Sequence, residues 1–415
     1  MKSYFFHLLL ICASLSYKWI TMRKDFDLML SEKSRNVVSS YDSIRRRSVT
    51  QKLKLSTNTY DDGALEDAKN FRNDPTTPVK QNATLLMLVR NWEVQGALQS
   101  MRSLEDRFNK EYNYDWTFLN DVPFDKVFIE ATTAMASGKT NYAVIPKEDW
   151  DCPEWIDQKR FNQSLQLMQE ENIVYGNSRS YRNMCKFNSG YFFRQKVLDN
   201  YDYYFRVEPN VEYFCDFPYD PFKIMKEKNK KYGFVIAIYE YEDTIPTLWE
   251  SVEEFIDIKG DELGLDLDNS AYDFITDFEI YGSNKFLIDS NTNYNLCHFW
   301  SNFEVGDLNF YRSNRYIEFF EFLNEKGGFY YERWGDAPIH TLAASILLHR
   351  DEIIHFDEIG YEHAPFRTCP RSYFMRLSQR CQCDYSGENN VDIEFNSCLS
   401  RWWKNGSGKK FVKEL

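Results

Sequence analysis

The sequence has no excess of positive charge, the property that general nucleic-acid-binding proteins need. Its 415 residues include 50 Lys and Arg against 63 Asp and Glu, which gives a formal net charge of -13. A field of this sign repels phosphate backbones and acidic membrane surfaces, so a nucleic-acid partner is not expected. Phe, Trp and Tyr make up 17% of the chain, which is far too many for a disordered tether. Most of the sequence is therefore expected to fold.

Several common catalytic and metal-binding motifs are missing. The sequence contains neither G-x-S-x-G nor a Walker A motif, so nothing supports a serine hydrolase or a P-loop enzyme. No C-x-x-C pair occurs, which makes a zinc cluster the weaker interpretation of the cysteines. Disulfides are favoured, because an even set remains once Cys12 in the apolar N-terminus is set aside. That set comprises Cys152, Cys185, Cys215, Cys297, Cys369, Cys381, Cys383 and Cys398.

The chain also lacks an apolar run of full membrane-spanning length, which is about 20 residues for a typical helix. The nearest candidate is the short run from Ser3 to Tyr17, which has Lys2 before it and Lys18 after it. An uncleaved signal-anchor is favoured over a cleaved signal peptide, because bulky residues such as Trp19 stand where cleavage requires small ones. A buried helix is the third alternative. The first two interpretations both direct the rest of the chain into the secretory pathway. Sequons compatible with that route begin at Asn82, Asn162 and Asn405.

Changes in composition divide the chain into three parts. Residues 1–20 form the predicted signal-anchor with its cytosolic tail. Residues 21–81 are polar, charged and poor in aromatics, as expected for a flexible stem. Residues 82–415 form the predicted lumenal catalytic domain. No internal repeat or low-complexity tract is visible in any part.

The start of the third part has the pattern of a β-α-β unit. Ala83 to Val89 is a continuous apolar run of strand length, typical of a strand buried on both faces. Two further short strands are predicted at Asp115 to Leu119 and at Tyr142 to Ile145. Between the first two strands, apolar residues recur on one helical face, at Val94, Ala97, Met101, Leu104 and Phe108. The opposite face is predicted to carry Arg102, Glu105 and Lys110. This order predicts an α/β fold with a Rossmann-like N-terminal half.

Later segments place charged residues where ligands commonly bind. Asp202 to Val207 reads as a strand that ends abruptly at Glu208, a position suited to hold a divalent ion against a diphosphate. A charged turn is the alternative. Glu304 lies among aromatic residues, where a carboxylate is costly unless it is paired or used, although a solvated strand carboxylate is also open. His355 and His363 flank a glycine, and either could be a packed residue or a metal ligand.

A series of strings in register resembles the fungal alpha-1,2-mannosyltransferases of glycosyltransferase family 15. The most specific are ATLLMLVRN, YRNMCKFNSGYFF, YDYYFRVEPNVEYFCD, CHFWSNFEVGDLNFYRS, GGFYYERWGDAPIH and IHFDEIGYEHAPF. They keep their order over roughly residues 82–400. The resemblance implies a single-pass type II Golgi membrane protein with a GT-A-type nucleotide-sugar transferase domain in the lumen. It also implies retaining transfer of mannose from GDP-mannose, with Mn²⁺, to mannosides of N- or O-linked glycans of glycoproteins.

The resemblance also implies roles for individual residues. It assigns Mn²⁺ binding to Glu208 in the RVEP string and to His363 in the GYEH string; position 362 is Glu where many relatives have a second histidine. Glu304 of the SNFE string corresponds to the family's proposed nucleophile or oxocarbenium stabiliser. By the same comparison, Tyr181 and Arg182 of YRNMC and Asp336 of ERWGD are substrate contacts. A chain with a net negative charge also needs local cations to bind a diphosphate sugar, and the candidates are Arg90, Arg182 and Arg333.

Two alternatives to mannosyl transfer remain open at this point. A member of the same family could transfer phosphomannose with the same donor and fold. A protein that keeps the fold could instead bind glycans without catalysis. The presence of Glu208, Glu304 and His363 together argues against the second alternative.

Overall fold

A computed structural model describes residues 80–277, 293–387, 390–394 and 396–406. The predicted anchor and its apolar run, almost the whole predicted stem and Cys12 lie outside the described residues. Within them, no helix combines the length and the apolarity needed to cross a membrane.

Short strands alternate with helices through most of the described chain. The strands are β1 Ala83–Leu88, β2 Asp115–Asn120, β3 Thr140–Val144, β4 Tyr203–Arg206, β5 Val211–Tyr213, β6 Tyr232–Phe234, β7 Ala237–Tyr239, β8 Cys297–Phe299, β9 Glu304–Asp307, β10 Ile353–His355, β11 Tyr361–His363 and β12 Phe366–Thr368. The helices are α1 Val94–Leu104, α2 Lys110–Tyr112, α3 Lys126–Met135, α4 Lys147–Trp150, α5 Gln158–Glu170, α6 Arg179–Gly190, α7 Pro221–Glu227, α8 Leu248–Leu263, α9 Tyr272–Thr276, α10 Leu308–Tyr311, α11 Asn314–Glu325, α12 Gly328–Tyr331, α13 Asp336–Leu347, α14 Tyr373–Ser378 and α15 Leu399–Asn405.

In the described part of the chain, seven strands form the main sheet in the order β10-β6-β9-β4-β1-β2-β3. Neighbouring strands are parallel except at β9, which runs antiparallel to β4 and β6. The carboxyl ends of β1, β2 and β4 therefore lie at one edge, together with the amino end of β9. This confirms the predicted α/β fold and its N-terminal β-α-β unit. It also adds an antiparallel strand that the sequence analysis did not predict.

The first helix confirms the predicted apolar face but not the whole predicted polar face. Ala97, Met101 and Leu104 are fully buried. Glu105, predicted to be on the exposed face, is buried, because the helix widens into a π turn over Glu105–Asn109. Its carboxylate there accepts a hydrogen bond of 2.7 Å from the indole of Trp116. A π turn shifts the following residues around the helix axis, and a pattern read with a fixed 3.6-residue period cannot show this shift. The prediction that Glu105 lies on the exposed face was wrong for that reason.

A separate three-stranded sheet, in the order β12-β11-β5, connects distant parts of the sequence. Strand β5 follows β4 after a short turn, and its Val211 pairs with His363 of β11. The end of β4 is therefore brought next to a strand about 150 residues later in the chain. This pairing places His363 beside the carboxyl edge of the main sheet.

Disulfides confirm the favoured interpretation of most cysteines. Bonds join Cys215 to Cys381, Cys297 to Cys398 and Cys369 to Cys383. Two of the predicted set, Cys152 and Cys185, are free, and Cys185 is fully buried. The C-terminal segment, which has little periodic pattern, is thus fastened to β8 and to the segment after β5.

Candidate functional site

The predicted metal pair lies together at the carboxyl edge of the main sheet. One oxygen of Glu208, Oε2, is 3.5 Å from Nε2 of His363, and the two side chains are 27% and 31% exposed. Burial opposes ionisation of Glu208, but Arg206 and His363 outweigh it and lower its pKa to about 2. Burial likewise opposes charge on His363, yet its hydrogen bond to Glu208 raises its pKa. The pair is thus partly solvent-accessible and electrostatically coupled.

Arg206 connects this pair to Asp336. One arm of its guanidinium donates to Oε1 of Glu208 at 2.6 Å, and the other donates to Oδ2 of Asp336. The hydroxyl of Ser301 donates to the same Asp336 oxygen at 2.8 Å. Because Arg206 occupies Oε1 of Glu208, the other oxygen of that carboxylate faces His363. Asp336 is therefore part of the site, but its direct contacts are with protein groups.

Glu304 lies at the start of β9, opposite Arg206 in the strand pairing. Its carboxylate is fully buried and accepts hydrogen bonds from the hydroxyls of Tyr204 and Tyr232, the latter at 2.7 Å. Its Oε2 is also 2.8 Å from Nδ1 of His340. Burial would raise the pKa of Glu304, but His340 and Arg206 outweigh it and lower that pKa. The alternative of a solvated strand carboxylate is therefore wrong.

Tyr181, predicted to contact substrate, is part of a second polar cluster. Its hydroxyl accepts a hydrogen bond of 3.1 Å from Arg333, whose guanidinium also lies 3.6 Å from a carboxylate oxygen of Glu240. The ring of Tyr181 stacks on that of Tyr175, with centroids 4.7 Å apart. Tyr175 is 60% exposed, so this cluster extends from the buried Arg333 to the surface.

Arg333 is one of three cations predicted to offset phosphate charge. The other two, Arg90 and Arg182, differ in how accessible they are. Arg90 follows β1 at the carboxyl edge, where its guanidinium donates to the hydroxyl of Ser180 and lies over the exposed ring of Trp92. Arg182 is fully buried, and its guanidinium donates to the carbonyl oxygens of Tyr175 and Gly176 at 3.2 and 2.9 Å. Burial lowers the pKa of Arg182 to about 10. These contacts favour a structural role for Arg182 and leave Arg90 available to a ligand.

Two other ionisable residues, the candidate ligand His355 and Asp307 at the end of β9, have structural contacts. His355 is buried, with Nε2 3.0 Å from the carbonyl oxygen of Val235 and its ring stacked on Phe234. Asp307 is also buried; it accepts a hydrogen bond from Lys231 at 2.7 Å and from the backbone N–H of Asn309 at the start of α10. Of the two candidate histidines, His363 is the one that lies beside Glu208.

The ligand atoms that Glu208 and His363 offer suit a divalent transition-metal ion. A carboxylate oxygen and an imidazole nitrogen face each other, and Mn²⁺ accepts both types of ligand. The pair is accessible enough for a ligand to complete the coordination sphere, since neither side chain is fully buried.

Sequence reasoning assigned no role to Arg206 or to His340, which lies in the GGFYYERWGDAPIH string, although both left a signal. Arg206 precedes Glu208 by two positions, and residues at that spacing on an extended segment point to the same side. His340 follows Asp336 by four positions on α13, so the two occupy one helical face. Tyr232, by contrast, is brought to Glu304 only by the β6–β9 pairing, which no local pattern indicates.

Comparisons with known proteins show which family the chain resembles. The family model described as "Glycolipid 2-alpha-mannosyltransferase" matches residues 38–407. The Saccharomyces cerevisiae protein named "Probable mannosyltransferase KTR2" is 60% identical over 100% of this chain and 97% of its own.

Two solved structures are similar over most of the chain. The mannosyltransferase Ktr4p from S. cerevisiae in complex with GDP has a TM-score of 0.74 and 32% identity, covering 86% of this chain and 95% of that one. Core-mannan synthase A from Aspergillus fumigatus, in a Mn/GDP form, has a TM-score of 0.72 and 35% identity, covering 81% and 88%. The fold is thus that of an α/β glycosyltransferase with a mixed sheet, and the chain belongs to the Glycolipid 2-alpha-mannosyltransferase family, glycosyltransferase family 15.

Proposed function

We propose that this chain is a retaining mannosyltransferase that moves mannose from GDP-mannose to a mannoside acceptor in alpha-1,2 linkage. The acceptor would be an N- or O-linked glycan of a glycoprotein. The observation that carries the proposal is the Glu208–His363 pair at the carboxyl edge of the sheet. Its support comes from family membership and from relatives solved with GDP or with Mn and GDP. The domain would be of the GT-A type.

Glu208 and His363 would hold Mn²⁺ beside the diphosphate of the donor. When bound, a divalent ion neutralises negative charge that develops on the leaving group. Arg206 fixes the orientation of Glu208 through Oε1, so that its second oxygen and His363 form one side of the binding site. Arg90 would offset part of the remaining phosphate charge, since its guanidinium lies at the same edge of the sheet.

Glu304 would act through its charge. Retention requires either a double displacement through a covalent intermediate or a front-face attack through an ion pair. Glu304 is fully buried and already bonded to Tyr204, Tyr232 and His340, so its oxygens are poorly placed to form a bond to carbon. This geometry favours the second route, in which the carboxylate stabilises positive charge at the anomeric carbon.

We also propose that the enzyme is a single-pass type II membrane protein of the Golgi with its catalytic domain in the lumen. Support comes from the apolar run at Ser3 to Tyr17 and from the polar composition of residues 21–81. The disulfides of the folded domain are compatible with an oxidising compartment.

Product analysis tests the proposed transfer directly. The full chain in detergent would be incubated with GDP-mannose, Mn²⁺ and a panel of labelled mannosides, and the products treated with a linkage-specific alpha-1,2-mannosidase. The expected product gains one hexose that this mannosidase removes. Gain of a hexose phosphate would establish the phosphomannose alternative, and absence of any product with every mannoside would contradict transferase activity.

A further inference from the structure

Both ring nitrogens of His340 face oxygen atoms in the protein interior. His340 lies on α13 and is 1% exposed. Its Nε2 is 2.9 Å from the carbonyl oxygen of Asn188, and its Nδ1 is 2.8 Å from Oε2 of Glu304. A carbonyl oxygen carries no proton, so Nε2 must be the donor in the first hydrogen bond.

The second contact leaves two possibilities for the proton between His340 and Glu304. Either Nδ1 also carries a proton and the ring is an imidazolium, or Glu304 is protonated and donates to a neutral ring. The hydroxyls of Tyr204 and Tyr232 also donate to Glu304. An ionised carboxylate can accept all three hydrogen bonds, whereas a protonated one must use an oxygen to donate.

We infer that His340 is a positioning residue, a buried imidazolium that holds Glu304 as an oriented carboxylate. The inference rests on the proposed function, in which Glu304 stabilises charge at the anomeric carbon. The imidazolium compensates the electrostatic cost of burying that carboxylate. The lowered pKa of Glu304 is consistent with this arrangement.

Other ionisable groups surround the pair, but within the described ranges none of them supplies a second counter-ion as close to Glu304 as His340. Arg206 lies opposite Glu304 on β4 and acts at longer range, since its guanidinium is bonded to Glu208 and Asp336. In the described part of the chain, Tyr204 of β4, Tyr232 of β6, Tyr311 of α10 and Tyr316 of α11 also face the pair, and Asp336 lies one turn before His340 on α13. Burial raises the pKa of each of these tyrosines well above its ordinary value, so none of them ionises near neutral pH.

Nitrogen NMR of histidine tests the inference without any measurement of activity. The metal-free full chain, labelled with ¹⁵N-histidine and assigned with a His340→Gln variant, should show both nitrogens of His340 protonated at pH 7. In Glu304→Gln, Nδ1 of His340 should lose its proton near neutral pH. A neutral His340 in the parent protein at pH 7 would overturn the inference, even if mannosyl transfer is confirmed.

Kinetics then test the positioning role. His340→Gln keeps a donor for Glu304 but removes the positive charge, so kcat should fall about 10-fold or more with little change in the KM for GDP-mannose. Without its counter-ion, Glu304 should ionise only at higher pH, so kcat should recover as pH rises. His355→Gln is the matched control: a buried histidine bonded to a backbone carbonyl, changed in the same way, that should keep the parent pH profile. An unchanged kcat and pH profile in His340→Gln would overturn the role, and if that variant fails to fold, the NMR of the parent decides.

Discussion

Single carboxylates in this protein differ in what they can do because they differ in their partners. Glu208 is partly exposed and keeps one oxygen directed at His363, whereas Glu304 is buried and bonded on both oxygens. Asp307, which the sequence places three residues after Glu304, is committed to Lys231 and to the start of α10. A residue type at a given sequence position therefore indicates a candidate, and its contacts decide the chemistry.

Glu304→Gln should separate binding from turnover. The change keeps the size of the side chain and one acceptor oxygen, but it removes the charge that the proposed mechanism uses at the anomeric carbon. We expect kcat to fall roughly 100-fold or more, with GDP-mannose affinity almost unchanged, because the charge matters mainly in the transition state. Steady-state kinetics with calorimetric donor binding measure both quantities. A variant that folds, binds donor and turns over at the parent rate would make Glu304 a structural residue only.

Asp392 should make stability depend on pH. Burial, opposed by its hydrogen bond from Thr368, raises its pKa from 3.8 to about 7. Above pH 3.8 the unfolded chain releases this proton while the folded chain retains it, so the folded state is penalised increasingly up to about pH 7. The penalty reaches up to about 4 kcal/mol. Asp392→Asn removes it, and the Tm of the variant should exceed that of the parent at pH 8 but not at pH 4.

The control for this prediction is Asp351→Asn, because the side chain of Asp351 is 70% exposed. This substitution should leave the difference in Tm between pH 4 and pH 8 as it is in the parent protein. A gain in Tm for Asp392→Asn that is equal at both pH values would show that the carboxyl group does not titrate as described.

Among the helices and strands, those that could be predicted are the ones with a hydrophobic pattern in adjacent residues. The apolar run of β1 and the period of α1 are readable from the sequence, because burial on one or both faces constrains adjacent residues. The π turn at Glu105 and the antiparallel β9 depend on packing between distant segments. His363 reaches Glu208 through the β5–β11 pairing, which no local pattern encodes. The prediction that these two residues share a site came from the family resemblance and not from periodicity.

Disulfides should stabilise the domain according to the length of chain that they close. Cys297–Cys398 spans 101 residues and Cys369–Cys383 spans 14. In a chain-entropy description, closing the longer loop stabilises by about 5 kcal/mol and the shorter by about 3 kcal/mol. Replacing both cysteines of the longer bridge by serine should therefore lower the urea midpoint more than the same change at the shorter one. The opposite order would show that local contacts, not loop closure, dominate.

For the whole molecule, the strongest untested expectation is its topology. If Ser3 to Tyr17 is an uncleaved anchor, the mature protein should begin at or near Met1 and remain with membranes after an alkaline wash. Asn162 should carry a glycan, because it lies exposed on α5. Asn405 should not, since its side-chain amide donates to the carboxylate of Asp277 at 2.7 Å. N-terminal sequencing that starts beyond Ser16 would instead establish a cleaved signal peptide.

The central claim is that Glu208 and His363 together bind the ion that the donor requires. Calorimetry of GDP binding during a Mn²⁺ titration tests it most directly, with the parent protein, Glu208→Ala, His363→Ala and the control Glu212→Ala, which changes a glutamate of the adjacent strand β5. In the parent and the control, Mn²⁺ should strengthen GDP binding. In Glu208→Ala and His363→Ala the Mn²⁺ midpoint should rise about 10-fold or more. A Glu208→Ala protein that folds and keeps the parent Mn²⁺ titration would contradict the claim.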